Sequence, residues 1–328
     1  MSVHFITANR LPQLLHLLRQ RGELHAPLRG ADGVVRFAPL AAGTLPELDA
    51  LRTLLPPKIY LLPPRETILT YRDDTNYQEP QVTTFPLILF GLHPCDLAGI
   101  GYLDRIFLGE DPDPVYAARR SSLTLIGTNC TPDQFCSCHL QPSPLSASHD
   151  LFLQRIDDGF AVSSGSPGGD ELLETLAELI EERELAADDT RRFFGSQLKQ
   201  PPQSELDPYL LDWQELAGHC LGCGACSICC PTCYCFDVLE FGGLDGRSAE
   251  RLRHWDNCLF KSHAQVAGGA SFQKDRAQRF RYRYRHKYRG FGQLKGIPSC
   301  VGCGRCREAC LAGLDLRPLA ERLERGVS

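Results

Sequence analysis

The sequence lacks the long apolar run that a membrane-spanning helix needs. Its hydrophobic stretches are interrupted by charges or prolines before they reach the roughly 18 apolar residues required. The first residues, MSVHFITANRLPQLL, also lack the basic start and apolar core of a secretion signal. We therefore expect a soluble protein of the reducing cytoplasm, without direct membrane attachment.

The sequence also lacks the motifs of several enzyme classes. It contains no Gly-rich dinucleotide fingerprint, no phosphate loop and no evident Ser-His-Asp or paired-carboxylate constellation. The formal net charge of −5 is mild, which argues against nucleic acid as the main ligand. We expect no catalytic side chain, so the chemistry should belong to cofactors.

Cysteine, by contrast, is abundant. Of 16 cysteines, eight form two runs with the spacing C-x2-C-x2-C-x3-C. Three thiolates so closely spaced can wrap one corner of a 4Fe-4S cubane, whereas a zinc site usually takes two separated pairs. The runs therefore predict two 4Fe-4S clusters, and they consist of Cys220, Cys223, Cys226 and Cys230, and of Cys300, Cys303, Cys306 and Cys310.

The fourth cysteine of each run is predicted to ligate the cluster of the other run, as it does in two-cluster ferredoxins. Cys229 is an alternative to Cys230, but Cys230 keeps the spacing and precedes Pro231. The predicted ligands are Cys220, Cys223, Cys226 and Cys310 for cluster 1, and Cys300, Cys303, Cys306 and Cys230 for cluster 2.

The other cysteines also fall into groups. Cys95, Cys130, Cys136 and Cys138 follow the ends of two predicted strands, where neighbouring strands of a sheet meet, and they are candidate ligands of a third cluster. The alternative is separate buried thiols.

A further group could hold another cluster or could simply pack around the cubanes. It comprises Cys233, Cys235 and Cys258, with Cys229, Asp237 or Asp256 as candidate fourth ligands.

The chain length predicts about two domains. We predict an α/β domain with a mixed sheet over residues 1–205 and a two-cluster ferredoxin-like α-helical domain over residues 206–328, with a long insertion at about 232–299. The boundary lies in the proline-containing polar stretch 195–208. Apolar runs predict strands over 34–37, 59–62, 67–71, 87–91 and 123–127; helical spacing predicts helices over 11–19, 96–107, 171–184 and 213–217.

The stretch RFRYRYRHKYR at 279–289 alternates basic and aromatic residues. Such a stripe could bind single-stranded nucleic acid. Because it lies just before the second ligand run, we favour support of an anionic cluster or docking to an acidic partner.

Several segments resemble the beta subunit of cytoplasmic nickel-iron sulfhydrogenases, and the A subunit of anaerobic sulfite reductase shares the pattern. They include GLHPCDLAGIGYLDRIFL, YAARRSSLTLIGTNC, CLGCGACSICCPTCYCFDV, RHWDNC, RHKYRG and CVGCGRCREAC, in this order. The resemblance covers both ligand runs and also Cys95, Cys130, Cys138, Cys233, Cys235 and Cys258. Leu311 departs from the pattern, since proline commonly follows the last cysteine, and Cys229 is additional.

The resemblance implies a non-catalytic iron-sulfur subunit that relays electrons between a flavin- and NAD(P)-binding subunit and a catalytic subunit of the hydrogenase or sulfite reductase type. Two other function classes remain open. One is a substrate-reducing enzyme, in which an iron held by the group of Cys233, Cys235 and Cys258 has an open coordination site. The other is an iron-sulfur protein that binds nucleic acid or has a regulatory role.

Overall fold

The computed structural model describes residues 2–72, 77–79, 82, 84–138, 149–156, 158–184, 212–263, 265–290 and 299–315. The chain divides into two compact units. The first consists of Met1–Pro57, Val82–Gln134 and Cys138–Lys199, and the second of Lys58–Gln81, Phe135–Ser137 and Gln200–Ser328. The predicted boundary at 205 lies outside the described residues and stays a prediction.

The first unit contains a mixed sheet, which has eight strands within the described residues. Strands are numbered along the chain through both units. Those of this sheet are β1 (Ser2–Thr7), β2 (Glu23–Arg29), β3 (Val35–Pro39), β5 (Leu87–Leu92), β6 (Leu123–Thr128), β7 (Leu151–Ile156), β8 (Gly159–Ser164) and β9 (Glu181–Glu184). Their order in the sheet is β3-β2-β5-β6-β7-β8-β1-β9.

The centre of this sheet is parallel. Strands β2, β5, β6 and β7 pair in parallel, while β3, β8, β1 and β9 pair with their neighbours antiparallel. Parallel neighbours need a crossover connection, and helices α2 (Pro94–Phe107) and α3 (Pro114–Ser121) connect β5 to β6. This arrangement confirms the predicted mixed α/β sheet.

Helix α1 (Leu11–Arg21) buries one apolar stripe in the core of the first unit. Leu14, Leu15 and Leu18 follow helical spacing and are fully buried beside strand residues such as Ile6 and Phe90. The helix predicted from this spacing is therefore confirmed.

Two local predictions are wrong. Residues 59–62 do not form a strand, because Pro57–Tyr60 is a 3-10 helix. The helix predicted over 171–184 is α4 (Pro167–Thr175) and gives way to β9, which pairs with β1. Within β9, Glu182 pairs with His4 at 2.9 Å and Glu181 pairs with Arg10 at 3.2 Å.

The second unit contains an antiparallel sheet in the order β10-β11-β4, which has three strands within the described residues. The strands are β4 (Arg65–Arg72), β10 (Phe236–Gly242) and β11 (Ser248–Trp255), and the helices are α5 (Trp213–Gly218), α6 (Ala225–Ile228), α7 (Arg276–Arg289) and α8 (Arg305–Glu308). The predicted short helix before Cys220 is confirmed by α5. The hairpin β10-β11 and helix α7 lie in the predicted insertion, so this part of the unit is not purely helical.

Helix α7 packs against α5 through aromatic side chains. Trp213 lies in a buried cluster with Phe280 and Tyr284, its ring centroid 5.3 Å from that of Tyr284. This contact fixes α7 beside the chain that leads into Cys220. Among the described residues, no helix is long and apolar enough to cross a membrane.

Candidate iron-sulfur centres

The two ligand runs have the same local backbone. Gly222 and Gly224 have φ angles of 65° and 79°, and the equivalent Gly302 and Gly304 have 66° and 76°. These left-handed conformations suit glycine, since a Cβ would strain them. Each run then forms one short helix, α6 or α8, before its last cysteine. The repeat read from the sequence is therefore a structural repeat.

One cavity of the second unit brings cysteines of both runs together. It is lined by Cys220, Cys223 and Cys226 of the first run and by Cys306 and Cys310 of the second, with Arg283 also at its wall. The lining includes all four cysteines expected for cluster 1 from crossed ligation, together with Cys306 of the set expected for cluster 2.

The remaining four cysteines also interact. The charge of Cys303 acts on Cys300, Cys306 and Cys230, so these thiols of the expected cluster 2 lie within its electrostatic reach. The largest influence on the pKa of Cys230 is a hydrogen bond with the Cys233 thiol. The charge of Cys303 also acts on Cys229, whose pKa burial raises to about 12. The choice between Cys229 and Cys230 therefore stays a prediction.

The donor set fits iron-sulfur clusters. None of the 16 cysteines forms a disulfide, and burial raises the pKa of the Cys300 and Cys306 thiols. Such thiols need a strongly positive ion to hold them as thiolates. Among the described residues, no three Cys, His, Asp or Glu side chains form a site for a single metal ion. A cubane differs, because its four thiolates bind four separate irons.

Hydrogen bonds reach several predicted ligand sulfurs. The amide of Gly222 donates to Cys220 Sγ at 3.4 Å, and the amide of Leu314 donates to Cys310 Sγ at 3.3 Å. Thr232 Oγ1 lies 3.3 Å from Cys230 Sγ. Hydrogen bonds to cluster sulfurs raise the reduction potential, so these loops would tune the clusters they hold.

The basic-aromatic stretch lies in α7, and three cations of this helix hold the ligand loops. Arg276 Nη1 donates to the Cys220 carbonyl at 2.7 Å, and Arg283 Nη2 donates to the Cys226 carbonyl at 2.8 Å. Lys287 Nζ donates to Thr232 Oγ1 at 2.8 Å, while its carbonyl accepts from the Cys300 amide at 3.1 Å. These contacts give this part of the stripe a role at the clusters.

Five cations of this unit are buried, and three of these, Lys58, Arg283 and Lys287, lie among the ligand loops, each less than 7% exposed. We call these three the buried cations. Among the described residues, none of them forms a salt bridge with a carboxylate; Lys58, for example, donates to the Cys233 carbonyl at 2.9 Å and lies 4.2 Å from the Trp255 ring centroid. A buried charge without a counter-charge is costly.

Thiolates supply this counter-charge. Burial lowers the pKa of Lys58. At Arg283 and Lys287 burial acts in the same direction, but the negative charges of Cys233 and other cysteines outweigh it and raise both pKa values. The buried cations therefore fit a site that binds an anionic group.

Sequence reasoning missed three contributors to this site. Lys58 lies in the apolar run PPKIYLL. A charged residue within an apolar run was the signal that could have identified it. Asn257 donates from Nδ2 to the Gly224 carbonyl at 2.9 Å and accepts from Ser227 Oγ at 3.1 Å. The amide of Ser137 donates to the Gly302 carbonyl at 2.8 Å, so residues 135–137 contact the second run, and no local pattern indicated this.

The candidate third set is divided between the units. Cys95 lies in the first turn of α2 after β5, and Cys130 follows β6 by two residues; because β5 and β6 are parallel neighbours, both cysteines follow strands that end at the same edge of the sheet. Cys138 belongs to the same unit, whereas Cys136 belongs to the second unit. A cluster in this set stays a prediction.

The second unit brings together the group of Cys233, Cys235 and Cys258. The Cys235 and Cys258 thiols shift each other's pKa, and the charge of Cys233 acts on both. Two of the candidate fourth ligands form hydrogen bonds with other groups. Asp256 accepts from His263 Nδ1, and Asp237 is exposed and accepts from the Val238 amide at 2.8 Å.

Comparison with known proteins supports the assignment of the cysteine runs. Residues 219–314 match the family described as "4Fe-4S dicluster domain", which implies two 4Fe-4S clusters and a role in electron transfer. Sulfhydrogenase 2 subunit beta of Pyrococcus furiosus is 32% identical over 334 residues, covering 96% of this chain and 96% of the relative. No solved structure shows a significant match. The resemblance seen in the sequence is thereby confirmed, and the chain belongs to the family of the sulfhydrogenase beta subunits.

Proposed function

We propose that this iron-sulfur chain is the relay subunit of a hydrogenase-type complex. In this role it takes electrons from a flavin- and NAD(P)-binding subunit and passes them to a nickel-iron catalytic subunit, or carries them in the reverse direction. The observation that carries the proposal is the cavity that Cys220, Cys223 and Cys226 share with Cys306 and Cys310, because it joins two distant runs at one place. The name of the Pyrococcus relative favours the hydrogenase type over sulfite reductase.

Each bound 4Fe-4S cluster would accept and release one electron at a time. The chain's own residues would set the energy of that electron. Amides of Gly222 and Leu314 hydrogen-bond to ligand sulfurs, and Arg283 supplies a buried positive charge at the cavity wall. Leu259 and Phe280 line the same cavity and would exclude water from it.

The exposed surface of strand β10 is consistent with a subunit that functions within a complex. The strand lies at the edge of its sheet and exposes Phe236, Val238, Leu239 and Phe241. An apolar edge strand facing water is a liability for a free protein. A subunit of a complex can cover such a strand with its partner.

Crossed ligation gives a sharp test with single substitutions. In anaerobically purified chain, Cys223→Ala and Cys310→Ala should abolish the same electron paramagnetic resonance signal of the reduced protein. Cys303→Ala should abolish the other signal. If Cys310→Ala instead removed the signal that Cys303→Ala removes, the proposed ligand sets would be wrong.

Adjacent cysteines provide a matched pair for cluster 2. Cys230→Ala should lose this cluster, measured as a loss of about four irons per chain, whereas Cys229→Ala should keep it. The reverse result would assign the ligand to Cys229.

The relay role itself is tested by turnover. The purified chain should be reduced by dithionite and reoxidised reversibly, yet should not turn over hydrogen, sulfur or sulfite without other subunits. Turnover by the chain alone would overturn the relay. Copurification with a nickel-iron subunit supports the hydrogenase type, and copurification with a sulfite-reducing subunit would replace it.

A further inference from the structure

The base of the hairpin β10-β11 brings together three thiols that the crossed cubanes do not use. Phe236 pairs with Trp255 in the hairpin, and the Asp256 amide donates to the Cys235 carbonyl at 2.9 Å. Cys258 follows two residues later and Cys233 precedes Cys235 by two. The thiols of Cys235 and Cys258 lie within hydrogen-bonding reach of each other. Cys233 acts electrostatically on both, and its own thiol hydrogen-bonds to that of Cys230. We call these three the hairpin thiols.

The hairpin thiols are not explained by the ligand repeat. In the first run the amide of Cys233 donates to the Cys230 carbonyl at 3.4 Å, and in the second the amide of Gly313 donates to the Cys310 carbonyl at 3.0 Å. The same turn thus forms with glycine in place of cysteine. A thiol at position 233 therefore serves something other than the turn.

The buried cations, which also face the cubane ligands, supply a second observation. Arg283 Nη1 lies 3.5 Å from Cys233 Sγ, and Lys58 Nζ lies 2.9 Å from the Cys233 carbonyl oxygen. Lys287 also acts electrostatically on Cys233, Cys235 and Cys258. No carboxylate of the described residues pairs with these cations, so the positive charge that reaches the hairpin thiols favours thiolates or a bound anion there.

A cluster held by several thiolates is such an anion. Thiolate-only donor sets select iron-sulfur clusters, zinc or copper(I). Among the described residues the hairpin thiols do not form a single-ion site, as the cubane ligands do not. A multi-iron cluster spreads its ligands over separate irons, so it does not require the three thiols to converge on one ion.

We propose that Cys233, Cys235 and Cys258 bind a third iron-sulfur cluster at the base of the hairpin, with Lys58, Arg283 and Lys287 compensating its charge. The site goes beyond the proposed relay, because it adds a redox centre outside the dicluster repeat. The relay requires only the two crossed cubanes and stands without it.

The first experiment measures iron, acid-labile sulfide and zinc in anaerobically purified full-length chain. The double variant Cys235→Ala, Cys258→Ala should lose about three or four irons relative to the wild type. It should keep the two cubane signals in electron paramagnetic resonance. Tyr234→Phe, between two of the thiols, is the matched control and should keep all iron. Unchanged iron in the double variant, or zinc in place of iron, would overturn the third cluster.

A second experiment does not depend on folding of that variant. In the variant Cys95→Ala, Cys130→Ala, an additional cluster cannot be held by the candidate set of the first unit. Native mass spectrometry of this protein should count three clusters per chain. A count of two refutes the hairpin site and leaves the relay intact, whereas a count of zero or one would contradict the crossed cubanes themselves.

Discussion

The guanidinium of Arg283 lies 2.8 Å from the carbonyl oxygen of Cys226 and donates a hydrogen bond to it. The same side chain donates to Ser227 Oγ at 2.6 Å and lines the cavity of the cluster 1 cysteines. A fixed positive charge at this distance favours an added electron on a nearby cluster. Arg283 is therefore predicted to raise the reduction potential of cluster 1.

Substitution Arg283→Gln keeps a donor but removes the charge. We expect the ratio of reduced to oxidised cluster 1 at a given potential to fall at least tenfold, which is about 59 mV for a one-electron couple. A redox titration followed by electron paramagnetic resonance measures this. Arg285→Gln, at an exposed position of the same helix, is the control and should leave the potential unchanged. An unchanged or higher potential in Arg283→Gln, with iron content intact, would contradict the prediction.

Gly224→Ala should destabilise the first ligand loop. A Cβ at position 224 would lie 2.4 Å from Asn257 Nδ2 and 2.8 Å from the Phe260 ring, at a φ of +79°. The left-handed backbone alone costs about 1–2 kcal/mol for an alanine, and the clash adds to it. We expect a lower midpoint of thermal unfolding in the anaerobic holoprotein.

Gly218→Ala is the control, because a Cβ there meets nothing within 4 Å. Its midpoint should stay at or near that of the wild type. Equal unfolding midpoints for Gly224→Ala and Gly218→Ala would show that the loop around Gly224 accommodates the added Cβ without loss of stability.

Two ion pairs on the second sheet give a matched comparison of buried and exposed charge. Glu66 pairs with Arg253 at 2.7 Å, with both side chains less than 8% exposed, whereas Glu240 pairs with Arg251 at side chains that are 52% and 36% exposed. Glu66→Gln leaves Arg253 buried without its counter-charge and should cost about 3–5 kcal/mol. Glu240→Gln should cost about 1 kcal/mol or less. Denaturant unfolding measures both, and similar costs would refute the distinction.

Tyr116 should make the first unit sensitive to alkali. Burial, together with the Asp104 carboxylate that accepts its hydroxyl at 2.7 Å, raises the pKa of Tyr116 above the ordinary value of about 10. Above pH 10 the unfolded chain loses this proton while the folded chain keeps it. The unfolded state is thereby favoured, so the stability present below pH 10 falls as the pH rises further.

Tyr116→Phe should remove this contribution, so its unfolding free energy should fall less steeply above pH 10 than that of the wild type. At neutral pH the lost hydrogen bond should cost about 1 kcal/mol. Tyr77→Phe changes an exposed tyrosine and should keep the wild-type slope. Identical slopes for Tyr116→Phe and the wild type would exclude the effect.

Strongly periodic segments were predictable and ambiguous ones were not. The leucine spacing of α1 and the apolar runs of β5 and β6 were enough to assign these elements. Residues 181–184 continue a helical pattern, yet pair with β1 because a sheet edge was available for their backbone. Such pairing with residues at the start of the chain leaves no trace in a local pattern.

The sequence by itself determined the two ligand runs, their repeat and the family, because cluster ligands within one loop are set by spacing along the chain. Only the tertiary structure decided which residues meet across long separations. It places Lys58 against the Cys233 carbonyl, and it turns Arg283 and Lys287 of the basic stripe toward the thiols. Burial of these charges depends on the packing of α7 and the hairpin around the ligand loops, and composition alone leaves a lysine or arginine equally suited to solvent.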